Sequence, residues 1–182
     1  MYLYHGTTTK IGAIDFNKCR LRTDFGRGFY MTDKLGTARD WATGKPSIEV
    51  RVPTVMRYEF SDAIFTDTSV DRLRFNAPER AWLDFVKDNR RKDNTQKVSK
   101  EPRHDYDVVS GPIADDKVVD VVIEYCNNVI NAEEAISRIK ALPSVIQVSV
   151  HTALALSYIL SVSYSQRKSG KWSDWVILQS TV

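Results

Sequence analysis

Short apolar runs separated by turn-forming residues predict β-strands in the first third of the chain. The runs are bounded by glycine, proline, asparagine or aspartate, and the third run alternates apolar with charged residues in period two. The predicted strands are Leu3 to Gly6, Gly28 to Met31, Ile48 to Val52 and Val55 to Phe60. This part of the chain therefore favours a sheet.

Helical spacing appears first between the second and third predicted strands. Four apolar residues share one face there: Leu35, Ala38, Trp41 and Ala42. They predict a helix capped by Thr32 or Asp33 that turns Trp41 inward.

The second half of the chain mixes both patterns. One helix is predicted to begin at Pro78, with Trp82, Phe85, Val86 and Asn89 on one face. A second is predicted over Val118, Val119, Val122, Ile123 and Cys126. Two more are predicted, one after Asn131 and one from a Thr152 cap to about Val162. Asn131 with Glu134 is a capping-box pattern. Further strands are predicted at Asp105 to Val109 and Val145 to Val150. Strands that come first, with helices inserted later, favour an α+β fold over a βαβ alternation.

Composition indicates an ordinary globular protein. The 182 residues are 42% hydrophobic and 27% charged, and 26 basic side chains face 23 acidic ones, so net charge alone does not indicate nucleic acid. We find no secretory signal and no apolar run of transmembrane length, which predicts a cytoplasmic protein without a membrane partner. One domain over residues 1–160 is expected, followed by a tail of unknown role over 161–182.

Metal and disulfide chemistry are not expected. Cys19 and Cys126 lie in different sequence contexts, and His5, His104 and His151 share no ligand spacing with them. Two reduced thiols and no metal are therefore predicted. The basic segment 87–103 is interpreted as a solvated surface loop, with a nucleic-acid patch as the alternative.

The glycines of the stretch from Asp24 to Tyr30 are the first candidate for binding chemistry. Gly26 and Gly28 can adopt positive φ or bring the backbone close to a ligand. A dinucleotide-binding Gly-x-Gly-x-x-Gly motif is rejected, because Met31 stands where its third glycine should be.

Combined with the amino terminus, this stretch resembles the ADP-ribosyltransferases. Tyr4-His5-Gly6, followed by Gly-Arg-Gly-Phe-Tyr-Met-Thr-Asp from Gly26, is similar to the histidine-tyrosine branch of diphtheria toxin and the poly(ADP-ribose) polymerases. In that branch a second tyrosine, eleven residues after the first, completes the nicotinamide site, and this spacing from Tyr30 leads to Trp41. The resemblance implies the ADP-ribosyltransferase fold, with split antiparallel sheets flanked by helices.

The resemblance also implies a set of site residues and NAD+ as the substrate. The catalytic residues would be His5, Tyr30 and Gln147, and the NAD+-binding residues His5, Gly6, Thr7, Arg22, Gly28, Phe29, Tyr30, Trp41 and Gln147. Two aromatic faces around the flat nicotinamide cation would combine apolar burial with cation–π attraction. Arg22 would clamp the pyrophosphate, with an ordinary surface arginine as the alternative.

Gln147 occupies the position where the superfamily usually has a glutamate. On the predicted late strand, Gln147 and Ser149 point to the face opposite Ile146, Val148 and Val150. A glutamine can orient the ribose but carries no negative charge, which favours single transfer over chain elongation. The alternative is a polar residue that faces solvent.

A closer resemblance, up to about residue 160, is to a bacterial family of unknown function placed among the ADP-ribosyltransferases. Its motifs correspond to Tyr4–Thr7, Asp24–Tyr30, Trp82–Phe85, Tyr106–Asp116 and Gln147–Thr152. Such proteins are suspected toxins of toxin–antitoxin pairs, which implies an antitoxin partner. Asp107, Asp115 and Asp116 would hold the acceptor or the adenine-side ribose, or the last two would cap the Val118 helix.

The predicted activity is mono-ADP-ribosyl transfer from NAD+ to a macromolecule, either protein or nucleic acid. The alternatives are an NAD glycohydrolase, in which water is the acceptor, and a non-catalytic NAD-binding or interaction module. None of these requires a metal.

Overall fold

A computed structural model describes residues 1–44, 51–90, 104–114, 116–142 and 145–178. The strands are β1 (Tyr2–Thr7), β2 (Phe29–Thr32), β3 (Thr54–Phe60), β4 (Arg72–Arg74), β5 (Val108–Pro112), β6 (Ile146–Val150), β7 (Ile159–Lys168), β8 (Lys171–Trp172) and β9 (Val176–Ile177). The helices are α1 (Leu35–Thr43), α2 (Arg80–Arg90), α3 (Asp116–Cys126), α4 (Ala132–Lys140) and α5 (Ala153–Leu156). The chain is therefore a mixed α+β protein, as predicted.

The chain divides into two compact units. The first contains Met1–Ile14, Tyr30–Val70 and Thr152–Val182, and the second contains Asp15–Phe29 and Asp71–His151. Each unit has its own sheet strands and helices.

The first unit is built on antiparallel pairing around β3. β1 pairs with β3 from Tyr2 opposite Glu59 to Thr7 opposite Thr54. β3 pairs in turn with β7 from Thr54 opposite Gln166 to Phe60 opposite Ile159. Helix α1 packs onto this sheet through Ala38 and Ala42, which form a buried cluster with Val55.

The last strands complete the first unit, and they correct one prediction. The helix predicted from Thr152 to Val162 ends at Leu156, although Thr152 does cap it by accepting from the Ala155 amide. Residues from Ile159 onward pair with β3 instead, because long-range strand pairing outweighs a weak local helical pattern. The Trp175 ring lies 6.0 Å from that of Tyr4, centroid to centroid, and the Arg57 guanidinium lies 4.3 Å from the Trp175 ring centroid. The following strand β9 pairs with β7.

The second unit combines a small mixed sheet with three helices. β4 and β5 are parallel, with Arg72 opposite Val108, and β5 and β6 are antiparallel, with Gly111 opposite Gln147. The wholly antiparallel arrangement implied by the resemblance is therefore wrong for β4–β5. Trp82 of α2 is fully buried, and its indole Nε1 donates to the Pro112 carbonyl at 3.1 Å.

Several predicted boundaries and faces also differ. The cap of α1 is Lys34, since Thr32 still belongs to β2. Helix α2 begins at Arg80, two residues after Pro78, and β5 begins at Val108. On α3, Ile123 is 48% exposed whereas Val121 is buried.

Other predictions on these segments are confirmed or lie outside the described residues. The Asn131 side chain caps α4 by accepting from the Glu134 amide. Ile48 and Val50 fall outside the described residues, and Val52 is not part of a strand. Within the described ranges, no helix is both long and apolar enough to cross a bilayer.

Candidate functional site

His5 and Tyr30 meet in the first unit, where β1 lies antiparallel to β2 with Tyr4 opposite Thr32. His5 Nδ1 lies 2.7 Å from the Tyr30 carbonyl oxygen. A carbonyl can only accept, so Nδ1 carries the proton, and Nε2 of the neutral ring is then the acceptor nitrogen. This bond fixes both the tautomer and the orientation of the imidazole.

Gly6 and Trp41 meet directly beside His5. A Cβ atom added to Gly6 would lie 2.2 Å from the Ala38 carbonyl oxygen and 2.8 Å from Trp41 Cβ. Only glycine fits, because α1 crosses β1 at backbone contact distance. This close crossing places the Cβ atom of Trp41 against Gly6.

The structure therefore brings four of the predicted residues together in one unit: His5, Gly6, Tyr30 and Trp41. The side chains of His5, Tyr30 and Trp41 are each half-buried, so part of each is accessible. Thr7, at the end of β1, is buried, and its hydroxyl accepts from the Thr9 amide at 3.3 Å.

The remaining predicted residues belong to the second unit. Gln147 is 5% exposed, and its amide Nε2 donates to Asp24 Oδ2 at 2.7 Å. The alternative of a solvent-facing glutamine is therefore wrong. Phe29 is buried, whereas Arg22 is exposed and has left-handed backbone geometry with φ 57°.

Asp24 is the centre of a buried polar cluster that the sequence did not predict. Its carboxylate accepts from Arg90 Nε at 2.8 Å, from the Ala114 amide at 2.9 Å and from Gln147. Arg90 is the last residue of α2, and Gln147 lies on β6. A buried carboxylate with this many donors, one of them an arginine, is a well-compensated charge.

Glycine is favoured at positions 26 and 28 for structural reasons that do not involve a ligand. Gly26 has φ 77°, in the region that favours glycine. A Cβ at Gly28 would lie 2.5 Å from His151 Cε1. The expected close approach of the backbone therefore occurs, but toward a histidine ring.

Of the predicted acidic residues and the basic segment, the structure describes only a part. Asp107 is buried, and its Oδ2 accepts from the Asp71 amide at 2.8 Å, which is a structural role. Asp115 and the side chain of Asp116 lie outside what the structure describes, as do residues 91–103 of the basic segment. The alternatives for both therefore stay predictions.

Among the described residues, no group of three or more His, Cys, Asp or Glu side chains could hold a metal ion. A cavity of about 470 Å³ in the second unit is lined by residues that include Arg80, Lys87, Tyr125 and Asn128. None of the predicted site residues lines it.

Sequence reasoning missed Asp24, Arg90, His104 and His151 as a connected set. Part of this set could have been found from the family motifs, because Asp24 belongs to the motif Asp24–Tyr30 and its partner Gln147 belongs to the motif Gln147–Thr152. The same two motifs also supply both partners of the bond between the Arg27 carbonyl and His151.

Comparison with known proteins adds a family but no activity. One family model, described as a protein of unknown function (DUF3990), matches residues 1–160. The match ends inside β7. No curated protein matches the chain, and no solved structure matches it.

Proposed function

The chain belongs to the DUF3990 family of proteins of unknown function, and from its site we propose that it is an NAD+-dependent mono-ADP-ribosyltransferase with the corresponding fold. The observation that carries the proposal is the convergence in one unit of His5 with Tyr30 and of Gly6 with Trp41. These are the residues on which the resemblance to the histidine-tyrosine branch rests.

The proposed roles come from the resemblance, and the contacts of His5 with the Tyr30 backbone and of Gly6 with Trp41 support them. Oxidised nicotinamide is a flat cation, and Tyr30 and Trp41 would supply two electron-rich faces for it. With the proton on Nδ1, His5 presents an acceptor nitrogen at Nε2, which suits a ribose hydroxyl. Backbone groups of the His5–Gly6 segment would bind the carboxamide.

The proposed reaction breaks the bond between ribose C1′ and the pyridinium nitrogen. The bonding electrons stay on the ring, so nicotinamide leaves neutral, and an acceptor nucleophile forms the new bond to C1′ while its proton passes to solvent. Positioning and preorganised dipoles would supply most of the catalysis. Gln147 as a ribose-binding residue stays a prediction, and the proposal does not depend on it, since its amide is bonded to Asp24.

Removing either aromatic face should weaken turnover of NAD+ measurably. Each favourable cation–π face is worth about 0.5–2 kcal/mol, so Tyr30→Ala or Trp41→Ala should lower kcat/KM for nicotinamide release by roughly 2- to 30-fold. The matched control is Tyr164→Ala, which removes a half-buried tyrosine from β7 of the same unit. Equal rates for all three variants and the wild type would refute the assignment.

The acceptor class is tested with adenine-labelled NAD+ and a bacterial lysate. Label that resists nuclease but not protease indicates a protein acceptor, and the reverse indicates nucleic acid. Free ADP-ribose without labelled macromolecule indicates a glycohydrolase. NAD+ binding without turnover would support the non-catalytic module.

The biological setting is part of the proposal. A mono-ADP-ribosyltransferase of this kind would act in the cytoplasm as the toxin of a bacterial toxin–antitoxin pair. Its antitoxin partner would be recovered by co-purification from the native host.

A further inference from the structure

We propose that His104 and His151 are positioning residues that hold the glycine-rich segment, residues 24–28, by two of its carbonyl groups, and that they hold it as neutral rings. All of these residues belong to the second unit. The inference is independent of the proposed function, because it concerns no ligand.

His104 holds the segment at Phe25. Its Nε2 lies 2.9 Å from the Phe25 carbonyl oxygen, and its Nδ1 accepts from the Tyr106 amide at 3.2 Å. The ring also stacks on Phe85, with centroids 5.2 Å apart. Since a carbonyl accepts and an amide donates, the observed contacts require the neutral ring with its proton on Nε2.

His151 holds the segment at Arg27. Its Nδ1 donates to the Arg27 carbonyl at 2.9 Å, and its Nε2 lies 2.8 Å from Ser149 Oγ. The ring occupies the space that a Gly28 side chain would fill. His151 therefore fixes the segment both by hydrogen bonding and by contact.

Protonation disrupts this arrangement at two points. A proton on His104 Nδ1 would face the Tyr106 amide, so two donors would oppose each other. The contact of His151 Nε2 with Ser149 would survive protonation, because the Ser149 hydroxyl donates to the Val109 carbonyl at 3.3 Å and its oxygen can accept from Nε2. The two rings meet edge to face with centroids 4.7 Å apart, so two positive charges would repel.

The surroundings of the rings agree with neutral histidines. The pKa of His151 is lowered to about 4, chiefly by burial and also by the neighbouring His104, against the raising effects of the Arg27 carbonyl and Asp107. Burial likewise lowers the pKa of His104, against the Phe25 carbonyl and Asp105. The other charged groups of the segment are engaged elsewhere: Asp24 pairs with Arg90, and Arg27 donates to the Phe16 carbonyl.

The sign of the pH dependence follows from these directions. An unfolded histidine has a pKa near 6.5, above the folded values, so the unfolded chain binds more protons between the two. The contribution of the pair to stability is complete above about pH 6.5, and for His151 it is lost as pH falls toward 4.

The test begins with the wild-type protein and needs no variant to fold. Histidine C2–H signals are followed by NMR from pH 8 to the acid transition. We expect the signals of His104 and His151 to stay in the neutral position through pH 6. Ordinary titration of both near pH 6.5 would overturn the proposal.

Variants then test the positioning role. His104→Gln and His151→Asn each keep a neutral donor but remove the titrating ring. Over pH 6 to 4.5, the unfolding constant of the wild type should rise by up to about tenfold per pH unit more than that of His151→Asn. At pH 7, His151→Ala should speed amide exchange within residues 24–28 at least tenfold, with the amides of β3 as the internal control. Unchanged exchange in this segment and an unchanged pH slope would overturn the proposal.

Discussion

Replacing Asp24 by alanine should lower the free energy of unfolding by about 3–5 kcal/mol, the typical effect of removing one partner of a buried ion pair. The carboxylate side chain is only 6% exposed, and that of its partner Arg90 is 22% exposed. The substitution leaves the partly buried guanidinium without its counter-charge. It also removes the acceptor of the Ala114 amide and of Gln147.

The matched control is Glu124→Ala, which also removes a carboxylate from an arginine but at the surface. Glu124 and Arg138 are joined at 2.6 Å with side chains 36% and 42% exposed. An exposed pair of this kind contributes about 0–1 kcal/mol. Denaturant unfolding at pH 7 measures both variants, and equal losses would contradict the account of the Asp24 cluster.

Replacing Gln147 by glutamate should lower the free energy of unfolding by about 3 kcal/mol at pH 7, although glutamate is the residue that the resemblance calls for. The amide nitrogen of Gln147 donates to Asp24 at 2.7 Å. A carboxylate there would place two acceptors with like charge together in a buried site.

Gln147→Leu is the matched control, because it removes the donor without adding a charge and should cost about 1–2 kcal/mol. Unfolding curves and nicotinamide release are measured on the same samples. Glutamate that leaves stability unchanged and raises nicotinamide release would support the predicted catalytic role of Gln147 and contradict the structural role. Loss of stability without a gain in activity supports the structural role.

The local elements were largely predictable because their signals are local. The apolar run from Val55 to Phe60 identified β3, the alternation on Val145 to Val150 identified β6, and the Asn131 cap identified α4. Glycine at position 6 has a reason that the sequence alone could not show, namely that a Cβ atom there would lie 2.2 Å from the Ala38 carbonyl oxygen of α1. The resemblance to a known family gave this glycine a ligand-binding role and did not predict the contact.

The contacts that the sequence missed are those set by long-range pairing. Asp24 and Gln147 are 123 residues apart along the chain, and no spacing rule joins a loop aspartate to a strand glutamine at that separation. Residues 159–162 resembled the end of a helix, yet pairing with β3 makes them a strand. Tertiary packing decides such cases.

The central claim is that Tyr30 and Trp41 receive nicotinamide beside His5, and a crystal structure of the protein with bound NAD+ tests it most directly. We predict the pyridinium ring between the two aromatic side chains, its carboxamide on the backbone of Gly6 and the adjoining ribose within hydrogen-bonding distance of His5 Nε2. NAD+ bound elsewhere in the protein, or no bound NAD+ at saturating concentration, would contradict it.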